Sequence, residues 1–346
     1  WNVWREILGS SEFGVTDSFF DLGGHSVDVI RLIGHVQQAF GVQLPVKTVM
    51  TNPTIESLAA ALRKPAAGAS RSAAVPIQPF GSRTPLFLVH GAGGTVVGYH
   101  DVARHLGRER PVYGLQAIGV DDGLEPIADL EVMAARYVQA VREVQPEGPY
   151  LLAGWSAGGH VAFEMANQLA TGGHRVGFVG LLDSNASHYG SRAPPRGDHV
   201  LLALLLQEEL GIAAEPELEQ LPSGQQLERA LELARERGLL SESFTAEQAR
   251  RILNVNRANE RAVTHFVPRR YVGDVTLIRS ASSLASSPSD GEVGGRSMEA
   301  TEDYGWNRFV EGAVRVMETP GTHQTMIREP NCRELARLIK ECLADL

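Results

Sequence analysis

From Thr84 onward the apolar residues fall into short continuous runs: Pro85–Val89, Val112–Leu115, Tyr150–Ala153, Val176–Leu182, Val275–Ile278 and Ala313–Met317. Runs of this length bounded by glycine, proline or polar residues predict buried strands. Between them the apolar residues recur at helical spacing, across Leu130–Val144, from Val161 through Met165 to Leu169, and in a last segment carrying Leu335, Leu338 and Leu343. Strands alternating with helices predict a mostly parallel sheet covered by helices. Residues 1–63 follow only the helical rhythm. Trp4, Ile7 and Leu8 share one face ending at Gly9, which suits a left-handed helix cap. A second helix from about Val27 directs Ile30, Ile33 (or Leu32), Val36 and Phe40 inward. A short last helix buries Leu58 and Leu62 and is capped by Thr54. The apolar loop between the first two, with Phe13, Val15, Phe19, Phe20 and Leu22, is expected to pack on them.

Two stretches interrupt this order. Residues 64–83 are rich in Ala, Ser and Pro without periodicity and predict a linker, which would give anything carried by residues 1–63 a high effective concentration at residues 84–346. Residues 187–266 break the strand–helix alternation with leucine-rich helical patterns at Val200–Leu210, Leu227–Arg237 and Ala246–Phe266. Thr245 and Gln248 have the spacing of a capping box ahead of the last of these. A helical insertion between sheet strands suits a lid. Ser280–Gly295, rich in Ser and Gly, reads as mobile.

Composition narrows the class. Lys plus Arg number 32 against 41 Asp plus Glu, and that acidic balance argues against nucleic acid as a partner. No apolar run approaches a membrane span. Cys332 and Cys342 fall ten residues apart in one predicted helix. That separates them by roughly 15 Å, beyond disulfide reach. Two free thiols fit a reducing cytoplasm. Trp1 is not an initiator, so the chain is read as a piece of something longer whose first helix is cut short.

Gly154-Trp155-Ser156-Ala157-Gly158, set between a predicted strand and a predicted helix, is the spacing of a nucleophile elbow. The sharp turn strains Ser156, and a Cβ at either glycine would crowd it. His90-Gly91-Ala92-Gly93-Gly94 follows an earlier strand and, paired with the elbow, is similar to the first oxyanion loop of an α/β-hydrolase. The backbone N–H groups of Ala92 and Ala157 are then the expected oxyanion donors, with His90 structural. Asp183 ends the strand after the elbow helix, 27 residues beyond Ser156, which puts acid and nucleophile on adjacent strands. After the following strand no acidic residue occurs before the distant Asp290, so Asp183 is the expected acid. Of the histidines beyond Asp183, His188, His199 and His265 lie in or beside the insertion, and His323 alone follows a late strand, where the base belongs. No metal is expected.

The string Asp17-Ser18-Phe19-Phe20-Asp21-Leu22-Gly23-Gly24-His25-Ser26 resembles the D-x-F-F-x-x-G-G-H-S motif of peptidyl carrier domains from nonribosomal peptide synthetases, with Val27 where leucine is usual. Ser26 alone would read as an ordinary helix cap. The resemblance implies instead that it carries 4′-phosphopantetheine, for which a helix N-terminus is a favourable field. Residues 84–346 resemble the type I thioesterase domain that ends such synthetases, by Gly-Trp-Ser-x-Gly-Gly, the early acid and the helical insertion; Ala157 replaces a commoner larger residue. The implied organisation is a small all-α four-helix carrier at 1–63, a linker at 64–83 and an α/β-hydrolase thioesterase at 84–346 with a lid at about 187–266. The peptide would be held as a thioester on the pantetheine of Ser26, taken by Ser156 with His323 and Asp183, and released by hydrolysis or macrocyclisation. Implied partners are upstream condensation and adenylation domains of the same synthetase, a phosphopantetheinyl transferase, the peptidyl thioester, and the carrier against its own thioesterase. An esterase or lipase-like hydrolase would share the elbow without needing a carrier, and a proofreading thioesterase acting in trans would lack one.

Overall fold

A computed structural model describes residues 1–24, 26–42, 44–63, 72–121, 123–186, 189, 218, 220–237, 245–282 and 301–346. The chain divides into two compact units, Trp1–Arg71 with Ile118–Glu125 and Arg196–Asn256, and Ser72–Ala117 with Pro126–Pro195 and Arg257–Leu346.

In the first unit, helices α1 (Asn2–Leu8), α2 (Ser26–Phe40), α3 (Val46–Thr51) and α4 (Ile55–Arg63) enclose a small apolar centre. Gly9 closes α1 in the left-handed region at φ 64°. Trp4 meets Phe19 edge-on at 5.0 Å, and Phe19 meets Phe20 at 5.6 Å. Val29, Leu32, Ile33 and Val36 complete the interior from α2. Thr54 caps α4, its Oγ accepting the Ser57 amide at 3.0 Å. Two expected core positions face water. Phe40, the last residue of α2, is 67% exposed, and Val15 is 50% exposed; each lies at or beyond the end of a packed segment, where no neighbour covers it. Leu62 is half-buried. Pro45 offers α3 no side-chain cap, and the Asp121 carboxylate supplies one, accepting the Val46 and Lys47 amides at 3.0 Å each.

Helix α8 (Ser223–Glu236) packs Leu227, Ala230, Leu231 and Ala234 against Ala249 and Leu253 of α9 (Ala246–His265). The capping box ahead of α9 is formed: the Thr245 amide donates to Gln248 Oε1 at 2.8 Å and the Gln248 amide to Thr245 Oγ at 3.2 Å. The expected helix at Val200–Leu210, and all beyond Ser282 of the stretch expected to be mobile, lie outside the described residues.

In the second unit the described strands form a seven-stranded sheet in the order β1-β3-β2-β4-β5-β6-β7. They are β1 (Ala74–Gln78), β2 (Leu86–Val89), β3 (Val112–Leu115), β4 (Tyr150–Trp155), β5 (Val176–Leu182), β6 (Val275–Ser280) and β7 (Val314–Thr319). All neighbours are parallel except β1, which runs antiparallel to β3. The linker expected at 64–83 is therefore too long, because β1 lies inside it. Its five residues include Pro76, which only an edge strand tolerates, and so they read as loop. Helices α5 (Tyr99–Leu106), α6 (Leu130–Val144), α7 (Ala157–Thr171) and α10 (Cys332–Cys342) complete the unit. Helix α7 starts at Ala157, four residues before its apolar periodicity does. Phe87, Val89, Leu152 and Leu181 share one core with Tyr137, Phe163 and Trp306. Both cysteines are free thiols on α10. Burial pushes the Cys332 thiol up to about 12 and raises that of Cys342.

Candidate active site

Strand β4 turns into α7 at Ser156, whose backbone has φ 56° and ψ −123°. A non-glycine residue at positive φ is strained, and here the packing holds it. A Cβ on Gly154 would lie 2.2 Å from the Gly158 carbonyl, and one on Gly158 would lie 2.4 Å from the carbonyl oxygens of Val89 and His90. Both glycines thus permit backbone-to-backbone approach, and the second seats the start of α7 directly on the end of β2. The Ser156 amide donates to Leu182 O on β5 at 2.9 Å, and Ser184 Oγ donates to Ser156 O at 2.8 Å.

Asp183 follows β5, next to β4 in the sheet, and also has positive φ, at 49°. Its buried carboxylate accepts the Ser280 amide at 2.9 Å and the Tyr304 hydroxyl at 3.2 Å on Oδ1. Oδ2 accepts Ser280 Oγ at 3.2 Å and faces His323 Nδ1 at 2.8 Å. A carboxylate only accepts, so His323 carries its proton on Nδ1, leaving Nε2 to accept from Ser156 Oγ at 2.9 Å. Trp155 also contacts His323 through both its N–H and its ring. Trp155 Nε1 donates to His323 O at 2.9 Å, and the two rings lie 5.0 Å apart at 30°. The expected Ser156, Asp183 and His323 are thus brought into one hydrogen-bonded line. His265 instead bonds Arg261 O at the exposed end of α9. His188, His199 and Asp290 lie outside the described residues.

The His90–Gly94 loop runs beside this line. A Cβ on Gly91 would lie 2.6 Å from the Trp155 ring. His90 Nδ1 donates to Gly91 O at 2.7 Å, and its Nε2 accepts from Tyr137 Oη at 2.7 Å. Burial lowers the His90 pKa to about 4, so the ring is neutral and its bond to Gly91 fixes the tautomer. The Gly94 amide donates to Gly91 O at 3.0 Å and the Ala117 amide to Gly94 O at 2.9 Å. Among the described residues no protein acceptor takes the N–H of Ala92 or Ala157. Ala92 lies three residues beyond the end of β2, and Ala157 opens α7.

Several residues that shape this site were not among those expected from the sequence. Ser280 and Tyr304 reach Asp183 from the end of β6 and from a loop 24 residues later. Tyr99 on α5 is fully enclosed; its hydroxyl donates to Val89 O at 2.5 Å and accepts the Trp155 amide at 2.9 Å. Strand-end position alone could have pointed to Ser280, because β6 neighbours β5.

In the first unit Ser26 begins α2, a 15-residue helix. The motif ahead of it is structural: Phe19 and Phe20 are buried, and a Cβ on Gly24 would lie 2.4 Å from the Phe19 ring.

A parallel sheet with an elbow serine, an acid one strand over and a late histidine defines an α/β-hydrolase fold. The family described as "Thioesterase domain" matches residues 84–343, and the chain belongs to it. The family described as "Phosphopantetheine attachment site" matches residues 2–62, so the chain also carries that attachment domain. Among curated relatives, a dimodular nonribosomal peptide synthase of Bacillus subtilis is 28% identical over 346 residues, covering 100% of this chain and 14% of its own length. Indigoidine synthase of Dickeya dadantii is 30% identical over 351 residues, 98% of this chain and 22% of its own. Among solved structures, a holo four-domain nonribosomal peptide synthetase bound to AMP and glycine superposes with a TM-score of 0.71 at 25% identity, over 98% of this chain and 25% of that one. The NocB thioesterase domain, in covalent complex with a fluorophosphonate nocardicin G analogue, shares the fold, with a TM-score of 0.53 at 24% identity over 76% of this chain and 95% of that one. The chain thus spans a small part of the synthetases it matches. No described helix is long and apolar enough to cross a membrane.

Proposed function

We propose that this chain is the carrier–thioesterase end of a nonribosomal peptide synthetase and that it releases a finished peptidyl chain by acyl transfer through Ser156. The observation that carries this reading is the line Ser156 Oγ–His323 Nε2 at 2.9 Å and His323 Nδ1–Asp183 Oδ2 at 2.8 Å, in a chain that also holds a phosphopantetheine attachment domain. Ser26 fits attachment, since it starts a long helix whose N-terminal dipole favours a phosphodiester. When bound, the arm supplies a thiol that holds an acyl group as a thioester.

In the proposed first half-reaction, Ser156 Oγ attacks the thioester carbonyl while its proton passes to His323 Nε2. Asp183 Oδ2 stabilises the imidazolium, and the Ala92 and Ala157 amides receive the oxyanion. Collapse breaks the C–S bond, and His323 returns the proton to the departing sulfur. In the second half-reaction His323 deprotonates water, or a hydroxyl or amine of the acyl chain, for attack on the Ser156 ester; collapse breaks the bond from the acyl carbon to Ser156 Oγ, and His323 returns the proton to that oxygen. A helical lid at about 187–266 would shield that ester from water. Upstream condensation and adenylation domains and a phosphopantetheinyl transferase are the partners this reading requires.

Two variants test it by intact-protein mass and peptide mapping. Ser26→Ala should gain no mass from coenzyme A and a phosphopantetheinyl transferase, yet still cleave a small soluble thioester. Ser156→Ala should accept the arm and an acyl group and then retain it, since loss of a nucleophile costs several orders of magnitude. Modification of the first variant, or rapid unloading by the second, would overturn the roles.

A further inference from the structure

Ala92 sits between two peptide planes, and different elements hold each. The first plane contains the Gly91 carbonyl and the Ala92 N–H, which point in opposite directions in a trans peptide. The His90 ring and the Gly94 amide both donate to Gly91 O, at 2.7 and 3.0 Å, and so aim the Ala92 N–H the other way. The second plane contains the Ala92 carbonyl, and Asn259 Nδ2 donates to that oxygen at 2.8 Å. With both planes fixed, both backbone torsions of Ala92 are fixed.

Asn259 comes from outside the loop. It lies on α9 and is 3% exposed. Ala262 and Phe266, just beyond it, are buried in the core that also holds Val89 and Leu181, so its mounting is firm on the C-terminal side. On the N-terminal side the same helix runs back through Leu253 and Ala249, which pack on α8. A shift of α9 therefore moves the amide that holds Ala92.

We infer that Asn259 is a positioning residue that sets the Ala92 N–H for the oxyanion and couples it to α9, an inference that rests on the acyl-transfer reading above. It is not a catalytic residue, because it bonds the carbonyl of Ala92, on the far plane from the donating N–H. A buried amide in place of an aliphatic side chain costs desolvation unless its bond is made, and here the bond is made to the Ala92 carbonyl.

The test uses the full chain, an N-acetylcysteamine thioester as substrate and phenylboronic acid as a tetrahedral mimic at Ser156. Removing an oxyanion donor outright costs roughly 100- to 1,000-fold. Loosening one should cost less, so Asn259→Leu should lower kcat by roughly 10- to 100-fold with KM changed by less than about twofold. Phenylboronic acid should bind more weakly by a similar factor. Asn259→Ala, which cannot clash, repeats the measurement if leucine disturbs folding. Coupling is reciprocal, so the boronate should slow amide exchange across Arg257–His265 in the wild type and not in the variants. Wild-type turnover matched by the variants, a kcat loss without loss of boronate affinity, or equal protection of α9 in wild type and variant would each overturn the inference. A wild type that does not turn over the thioester would instead count against the acyl-transfer reading itself.

Discussion

Trp155 holds His323 at two points: its indole N–H donates to the His323 carbonyl at 2.9 Å, and its ring lies against the imidazole with centroids 5.0 Å apart. The residue preceding the elbow serine therefore also anchors the loop that brings the base. Trp155→Phe keeps an aromatic face and removes the N–H, freeing the His323 backbone. A misplacement of about 1 Å in a reacting group can cost roughly 100-fold, so a fall in kcat of roughly 10-fold is expected with KM nearly unchanged. Steady-state kinetics on a soluble thioester would check it, and a full-rate variant would show that the ring contact suffices.

Asp183 is bonded by Ser280, Tyr304 and His323, and these bonds predict a graded series. Asp183→Asn should fold and lose roughly 10,000-fold in kcat, because His323 loses both its tautomer and its counter-charge. Tyr304→Phe removes one of several donors and should cost roughly 10-fold or less. Asp290→Asn should leave the rate unchanged. An inactive Asp290 variant beside an active Asp183 variant would move the acid to the later position.

The Tyr99 hydroxyl stands where the next rung between β2 and β4 would fall, just past the pairing of Val89 with Gly154. Burial raises its pKa far above the ordinary phenol value, so it is neutral at all working pH. Tyr99→Phe leaves the Val89 carbonyl and the Trp155 N–H without this partner in a dry interior, and a loss of about 1–3 kcal/mol is expected. Urea denaturation would measure it.

His90 gives the fold a pH signature. Its pKa is about 4 in the folded protein against 6.5 for the free side chain, so the unfolded chain takes up a proton first as pH falls. The stability owed to the neutral ring is complete above about pH 6.5 and is lost progressively toward pH 4. By the magnitude of the shift this amounts to about 3 kcal/mol. Unfolding free energies at pH 7 and pH 4.5 should differ more in the wild type than in His90→Asn; equal differences would exclude His90 as the source.

Much of this arrangement was legible from the chain because strand ends announce themselves. Ser156, Asp183 and His323 each follow an apolar run, and a parallel sheet brings such ends to one rim. What supports them was not legible. Tyr99 and Asn259 act from helices, where a polar residue on a buried face looks like any other break in periodicity. Tyr304 returns to Asp183 after a stretch with no period to read. Strand β1 was hidden by its proline, and Phe40 was misplaced because helical periodicity says nothing about where the partner surface stops.

The two cysteines have a practical bearing. Cys332 is enclosed, with its thiol held near 12, and Cys342 is also raised by burial. Alkylating reagents attack thiolates, and at neutral pH neither side chain offers an appreciable fraction. A pantetheine thiol installed on Ser26 would then be the readily alkylated sulfur of the protein. Maleimide dyes, spin labels or crosslinkers could be placed on the carrier arm of the natural sequence, with no cysteine removed beforehand.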